Sequence, residues 1–441
     1  MQVEASSTQA DVSFPNVNLT SIAFGSCHSR GALNKRLAKD PNGTIWDTIA
    51  AVVKPQTFLW TGDAVYPPME VKGDSPLEIL KHEFHQMKTN ATLGYAKFIR
   101  NKNILEAGIH GTWDDHDYGG NDRGYELKGK EERRDAYLDF LGARNYNREG
   151  VYSSVEFGKQ PNKVKIIFLD TRYNRSKHCI PSVGSHPYVP QGAIFACLTR
   201  WITAGFKLCA EDGSVLGEEQ WAWFEQQLVE STASMHIIVS SIQVLTTNPV
   251  VESFGHFPRE RERLLKLINP VSGLVLLSGD VHHAEISSTR HININNNVND
   301  GAIIEVTSSG LTHSCDGGWY GRMCQPILNH FNKHRFQGGN VGPSYFTEKN
   351  FGSISIDWAT RKFHVRVHNE SGQIVLLAGP LEMDAAANLS ENELDAVYEC
   401  IDGHFLIHIQ RLVAVAGTVL LAIVIKRFLK RRRPRKRTKH D

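Results

Sequence analysis

The 441 residues contain no Gly-x-Ser-x-Gly elbow, so that route to a serine nucleophile is missing; Ser308-Ser309-Gly310, with His313 close behind, is the nearest approach. No internal repeat stands out. Met1 to Asn18 hold no basic stretch leading into an apolar run, so no export signal is visible. The body also lacks a basic excess. The formal net charge is +2, yet Lys426 to His440 hold ten Lys or Arg opposed only by Asp441, so the tail carries +9 and the rest −7. A groove that tracks nucleic-acid phosphates shows as a basic excess across its domain, so nucleic acid is not expected as the partner of the body. No obligate protein partner is inferred either. What remains is a folded globular composition, 41% hydrophobic and 22% charged, long enough for one large catalytic domain.

A long apolar run occurs near the C-terminus. Leu412 to Ile425 read LVAVAGTVLLAIVI, and extension back to Phe405 gives a stretch of bilayer-spanning length, although it includes His408, Gln410 and Arg411. A buried terminal helix is the plainer alternative, but a core helix does not usually run straight into KRFLKRRRPRKR. The sequence therefore predicts a flexible segment at 1–18, a catalytic domain at 19–379, an acidic linker at 380–404, a transmembrane helix at 405–425 and a basic tail at 426–441. This describes a single-pass membrane protein contacting the bilayer through that C-terminal helix. Its enzyme faces the lumen or exterior, or else the cytoplasm as a tail-anchored protein. Cysteine favours the first: Cys179, Cys197, Cys209, Cys315, Cys324 and Cys400 make an even set with material for three bridges. Glycosylation triplets begin at Asn18, Asn42, Asn90, Asn174 and Asn388 and point the same way, each weakly on its own.

Along the body, apolar strands repeatedly end in polar loops. Leu19 to Phe24 lead to Gly25-Ser26-Cys27-His28, Thr57 to Trp60 to Gly62-Asp63, and Ile104 to Thr112 to Trp113-Asp114-Asp115-His116-Asp117. Val164 to Leu169 lead to Asp170-Thr171-Arg172, and Leu274 to Leu277 to Ser278-Gly279-Asp280-Val281-His282-His283. Helices are expected at 46–53, 76–102, 131–141 and 217–229. Residues 175–216 lack clean periodicity and read as an insertion or lid. The Asn-rich stretch from Asn293 to Asn299 reads as a polar hairpin or loop. Gly352–Trp358 and Lys362–His368 read as a hairpin.

One Gly-Asp after a strand is usually just a turn. Several such loops together are different, because like-charged carboxylates at close range destabilise one another unless a cation neutralises them. The pattern points to a multinuclear metal site at strand ends, the usual place for an α/β active site. Carboxylates suit calcium, magnesium or manganese, whereas deprotonated Cys27 and Tyr66 suit a stronger Lewis acid such as ferric iron. A pair of cations can clamp a phosphate oxygen, Arg172 can hold the phosphoryl group, and His116 or His282 can protonate the leaving oxygen. Ser309 and His313 fall beside the same site, as substrate groups or as groups that support the ligands from behind. Plainer readings stand beside these: Cys27 as an inert buried thiol, Tyr66 as a surface aromatic, His283 as a packing group, and Arg172 as a structural partner of Asp170. Asp63, Asp115 and Asp280 are the firmest candidates; the sequence does not decide between Asp114 and Asp117.

Phe24-Gly-Ser-Cys27, Gly62-Asp63-x-x-Tyr66, Trp113-Asp-Asp-His-Asp117, Leu169-Asp-Thr-Arg172 and Ser278-Gly-Asp-Val-His282 together resemble the PhoD-like alkaline phosphatase family, in order, from about residue 19 to 370. The resemblance implies a four-layer α/β/β/α metallophosphatase core and hydrolysis of phosphomonoesters or phosphodiesters. It also implies iron together with calcium; magnesium, manganese or zinc are the alternatives. On that pattern Cys27, Asp63 and Tyr66 look like iron ligands, with Asp63 bridging toward calcium. Asp115 and Asp280 are further metal ligands, Arg172 looks like the phosphate-binding arginine, and Asn121 is a candidate amide-oxygen ligand lining the site. The chain departs from bacterial members in lacking a twin-arginine signal and an extra N-terminal domain, and in carrying the apolar C-terminal segment. Rival readings are a membrane-anchored lipid or nucleotide phosphodiesterase, and a catalytically silent scaffold of the same fold.

Overall fold

Strands buried at every position, such as Val164–Phe168 and Leu274–Ser278, bury both faces and need cover on both sides. The computed structural model describes residues 11–39, 43–68, 75–143, 148–178, 192–205, 213–290, 301–316, 321–332, 344–398 and 417–418. Its strands are β1 Asp11–Phe14, β2 Ser21–Gly25, β3 Thr57–Thr61, β4 Ile109–Thr112, β5 Ser153–Phe157, β6 Val164–Phe168, β7 Met235–Val239, β8 Leu274–Ser278, β9 Ala284–Ser288, β10 Ile304–Ser308, β11 Tyr345–Phe346, β12 Asn350–Asp357, β13 Lys362–Asn369 and β14 Ile374–Glu382. Its helices are α1 Arg30–Leu37, α2 Ile45–Val52, α3 Pro76–Thr89, α4 Tyr95–Phe98, α5 Lys102–Ala107, α6 Asp115–Tyr118, α7 Lys130–Leu141, α8 Gly192–Gly205, α9 Glu218–Val229, α10 Pro258–Ile268, α11 Gly321–Phe331 and α12 Glu391–Tyr398.

The strands form two mixed sheets, ordered β1-β5-β6-β7-β8-β10-β9-β11 and β14-β13-β12-β2-β3-β4. Side chains alternate between faces along each strand. Thus Leu59 of β3, Val164, Ile166 and Phe168 of β6, and Val275 and Leu277 of β8 share one cluster to which both sheets contribute. Their neighbours point the other way: Phe58 and Trp60 join the side chains of α2, α3, α4 and α7, while Ile167, Ile238 and Leu276 join those of α9, α10 and α12. The parallel pairings β2 with β3, β3 with β4, β6 with β7 and β7 with β8 align the strand ends that matter. Local chemistry supports the elements: Ser75 and Glu78 make a reciprocal capping box at the start of α3, with Pro76 in its first turn.

Several expectations need correction. Residues 1–18 are not uniformly loose: β1 pairs in parallel with β5, and Asp11 accepts from Ser154 N–H at 3.0 Å and Trp223 Nε1–H at 3.3 Å. The stretch read as an acidic linker contains α12, whose Leu394 and Val397 are buried against the α10 side of the core, with Glu393 bonded to Arg290. Cys315 and Cys324 are joined by a disulfide. Cys197 is free, so the set of three bridges that required it does not form. Cys179, Cys209, Cys400 and the Asn293–Asn299 stretch lie outside the described residues. Of the glycosylation candidates, Asn174 donates its amide to the Leu216 carbonyl at 3.3 Å. The assignment as a single-pass membrane protein is also corrected: no helix among the described residues is long and apolar enough to cross a membrane. Within the span 405–425, expected as a C-terminal hydrophobic helix, only Gly417 and Thr418 are described, and the other residues lie outside the described ones.

Candidate metal centre

The polar loops converge because the carboxyl ends of the two sheets meet. Leu311 N–H donates to the Ser26 carbonyl at 3.1 Å and Thr312 N–H to the Cys27 carbonyl at 3.3 Å, while Thr112 Oγ1–H donates to the Leu169 carbonyl at 2.8 Å. These bonds stitch the ends of β2 and β4 to those of β10 and β6. The loops after β2, β3, β4, β6, β8 and β10 thereby bring Cys27, Asp63, Asp115, Arg172, Asp280 and Ser309 to one place.

Asp63, Asp114, Asp115 and Asp280 offer oxygens that all lie within 4.8 Å of one another. Asp114 Oδ2 and Asp115 Oδ1 are buried without a hydrogen-bond partner among the described residues. Burial, and then the charges of Asp115, Asp114, Asp117 and Asp280, push the Asp63 carboxyl well above the usual range. Burial and the charges of Asp114 and Asp115 do the same to Asp280. Four carboxylates cannot all ionise so closely without a compensating positive charge, and unpartnered oxygens are what a cation would take up. The donor set therefore fits a metal.

The backbone is strained at the same point. Cys27, Asp63, Asp280 and His282 adopt φ of 62°, 51°, 68° and 59°, a region non-glycine residues rarely enter. Gly62 precedes Asp63 at φ +100°, and a Cβ there would sit 2.6 Å from Asp114 Cβ. Only glycine lets the β3 loop approach the β4 loop this closely. Asp117 holds that approach, accepting from Ala64 N–H at 3.1 Å and Val65 N–H at 3.0 Å. It is a clamp, whereas Asp114 faces the centre.

Cys27 and Tyr66 flank Asp63. Tyr66 donates its hydroxyl to Asp63 Oδ2 at 2.5 Å, and Cys27 Sγ lies 3.7 Å from the same oxygen. Cys27 is buried, and burial followed by the Asp63 charge raises its thiol well above the ordinary value. Ser309, expected beside the substrate, has its hydroxyl 3.0 Å from Cys27 Sγ and accepts from His282 N–H at 3.0 Å. Around Tyr66 the rings of His116 and His313 lie at centroid distances of 4.0 and 4.7 Å, and the His282 ring lies 4.5 Å from that of His313, tilted by 46°. Burial lowers His282 to about 4, with His116 adding to the shift. His282 Nδ1 and His313 Nδ1 have no partner.

Arg172 is fully buried, and Asp170 accepts from the backbone N–H groups of Val151, Arg172 and Tyr173 rather than from its guanidinium. Instead Arg172 Nε donates to Asp114 Oδ1 at 2.6 Å and Nη1 to Glu252 at 2.9 Å, leaving Nη2 unpartnered. Glu252 carries no motif and lies on an irregular loop after β7, so the sequence offered no signal for it. His28 turns away into the aromatic cluster with Trp46 and Trp60. His283 Nδ1 lies 2.9 Å from the Val281 carbonyl. Asn121 is half-buried in the turn after α6, next to Asp122, whose N–H donates to Asp115 Oδ2 at 2.9 Å.

A family model for the PhoD-like phosphatases matches residues 26–367. The chain belongs to that family. PhoD-like phosphatases hydrolyse phosphate esters, and the acidic cluster accords with their use of metals. Among solved structures, one described as the structure of PhoD is 17% identical over 89% of this chain and 78% of its own, with a TM-score of 0.43. GAP50, described as the anchor in the inner membrane complex of Plasmodium, is 10% identical over 87% of this chain and 95% of its own, with a TM-score of 0.41. No curated protein matches.

Proposed function

We propose that this PhoD-like phosphatase hydrolyses phosphomonoesters, phosphodiesters or both at the acidic centre, with Cys27, Asp63, Tyr66, Asp115 and Asp280 holding the metals. The observation that carries the reading is the convergence of four carboxylates within 4.8 Å, two with unpartnered oxygens. Iron with calcium fits a set that mixes a thiol, a phenol and carboxylates; magnesium, manganese or zinc are the alternatives. Bound metals supply Lewis acidity and an activated water.

The chain's own groups do the rest. Arg172 is fixed by Asp114 and Glu252 so that its free Nη2 edge meets the phosphoryl oxygens. His116 and His282, with ring centroids 4.0 and 6.2 Å from that of Tyr66, are the proton-transfer groups for the leaving oxygen. His313 lines the substrate side, and Asn121 lies beside Asp122 for an amide-oxygen contact. Ser309 orders Cys27 and His282 through its hydroxyl. Alternate strand residues packing inward between the sheets and outward under helices support the four-layer α/β/β/α description.

The test is turnover of 4-nitrophenyl phosphate and bis(4-nitrophenyl) phosphate before chelation, after chelation and after metal return. Turnover lost and regained supports the reading, and the ratio of the two rates assigns ester class. Full activity after complete metal removal would sink it.

A further inference from the structure

Beside the acidic centre, Asp122, His178 and Glu252 also place ligand atoms within 4.8 Å of one another. Here the carboxylates are met by guanidiniums. Arg172 Nη1 and Arg175 Nη1 lie 2.9 and 3.1 Å from Glu252 Oε1, and Arg175 Nη2 donates to the Asp122 carbonyl. Arg200, carried by α8, donates through Nη2 to Asp122 Oδ1 at 2.5 Å and through Nη1 to the Val250 carbonyl at 3.1 Å. Three guanidiniums thus meet three carboxylates, Asp114, Asp122 and Glu252. The carboxylate charges a cation would need are already compensated, whereas the unused N–H donors are what an anion would take up.

The donors are also incompletely used. A guanidinium carries five N–H bonds in a fixed fork, and Arg172 Nη2, Arg175 Nε and Arg200 Nε are buried without a partner among the described residues. Leaving such donors unpaired costs free energy that an oxyanion would return. Arg172 and Arg175 side chains are 0% exposed, while Arg200 keeps 12% and is the one solvent can reach. Arg200 is linked to the metal centre through Asp122: it donates to Asp122 Oδ1, and Asp122 N–H is bonded to Asp115 Oδ2.

We infer that Arg200 is a specificity residue that binds a second phosphate on the substrate, so that the favoured substrates are phosphate esters bearing a further phosphate group. This rests on the phosphoesterase reading above, but anion binding can be measured without turnover. The bland rival is that Arg200 only neutralises Asp122.

The experiment titrates inorganic phosphate and inorganic pyrophosphate calorimetrically into the full-length wild type, Arg200→Ala and Arg200→Lys, with thermal melts to confirm folding. Arg200→Lys keeps a charge against Asp122 but loses the fork, so it carries the test if the alanine variant does not fold. The expected result is a pyrophosphate Kd raised at least tenfold more than the phosphate Kd. In parallel, kcat/KM for a bisphosphorylated ester should fall at least tenfold more than for 4-nitrophenyl phosphate, mainly through KM. Equal losses on both ligands, or no loss on pyrophosphate, would overturn the assignment. A wild type that binds pyrophosphate through Arg200 yet turns over neither ester would overturn the hydrolase reading and leave the Arg200 site standing.

Discussion

Asp117 accepts the backbone N–H of Ala64 at 3.1 Å, and this contact ties the loop after β3 to the loop after β4. The same carboxylate takes Val65 N–H at 3.0 Å and Asp114 N–H at 3.2 Å. Asp117→Ala would leave buried donors unpaired, at a cost of roughly 2 to 4 kcal/mol, and would let Asp63 drift, lowering kcat at least tenfold. Asp117→Asn keeps one acceptor oxygen and should lose about half as much stability. Urea unfolding of both variants checks the order.

A different sign is expected at the centre itself. In metal-free protein, Asp280 adds to the repulsion that Asp63 experiences. Asp280→Asn should therefore raise the thermal stability of chelated protein by about 1 to 2 kcal/mol while abolishing the stabilisation that added metal confers. Melting curves with and without metal read both effects, and an Asp280→Asn protein less stable than wild type after chelation would contradict the repulsion argument.

Arg172 compensates Asp114 and Glu252 in a fully buried triad. Removing the guanidinium takes the charge partner from Asp114 and leaves Glu252 with Arg175, so Arg172→Ala should cost about 3 to 5 kcal/mol and most of the activity. Arg172→Lys supplies charge without a fork and should recover stability better than kcat. Denaturation midpoints set against kcat for the two variants separate support from phosphate recognition.

Acid should weaken the edge of the larger sheet. Burial raises the Asp11 carboxyl, but hydrogen bonding and attraction to Arg148, with bonds from Trp223 and Ser154, outweigh it and hold its pKa below the ordinary 3.8. The folded state then binds fewer protons than the unfolded chain, so this contribution is present above 3.8 and fades as pH falls through the depressed folded value. The stability gap between wild type and Asp11→Asn should narrow on acidification below about pH 4, as urea midpoints across that range would show.

The strand-to-loop grammar was legible because uninterrupted apolar runs such as Val275–Leu277 and Ile166–Phe168 permit little else, and each releases its polar residues at a sheet end. Roles within Trp113–Asp117 were not legible. Asp114 and Asp117 are chemically alike, and only the fold decides that one meets Arg172 and the other three backbone N–H groups. Glu252 and Arg200 escaped notice for another reason: each acts through a partner distant in sequence, Arg172 and Asp122 respectively. The positive φ at Asp63 and Asp280 left no compositional trace, since aspartate there looks like any turn residue. β1 and α12 were missed because short polar segments gain their order from docking, as Asp11 on Ser154 and Leu394 in the core show.

The central claim is that this acidic centre holds metal, and elemental analysis of full-length protein purified without chelator tests it most directly, run beside Asp63→Asn and Asp280→Asn. The account predicts stoichiometric metal in the wild type, iron with calcium in the favoured assignment, and its loss in both variants. A well-folded wild type carrying no metal, or variants that retain the full complement, would contradict it.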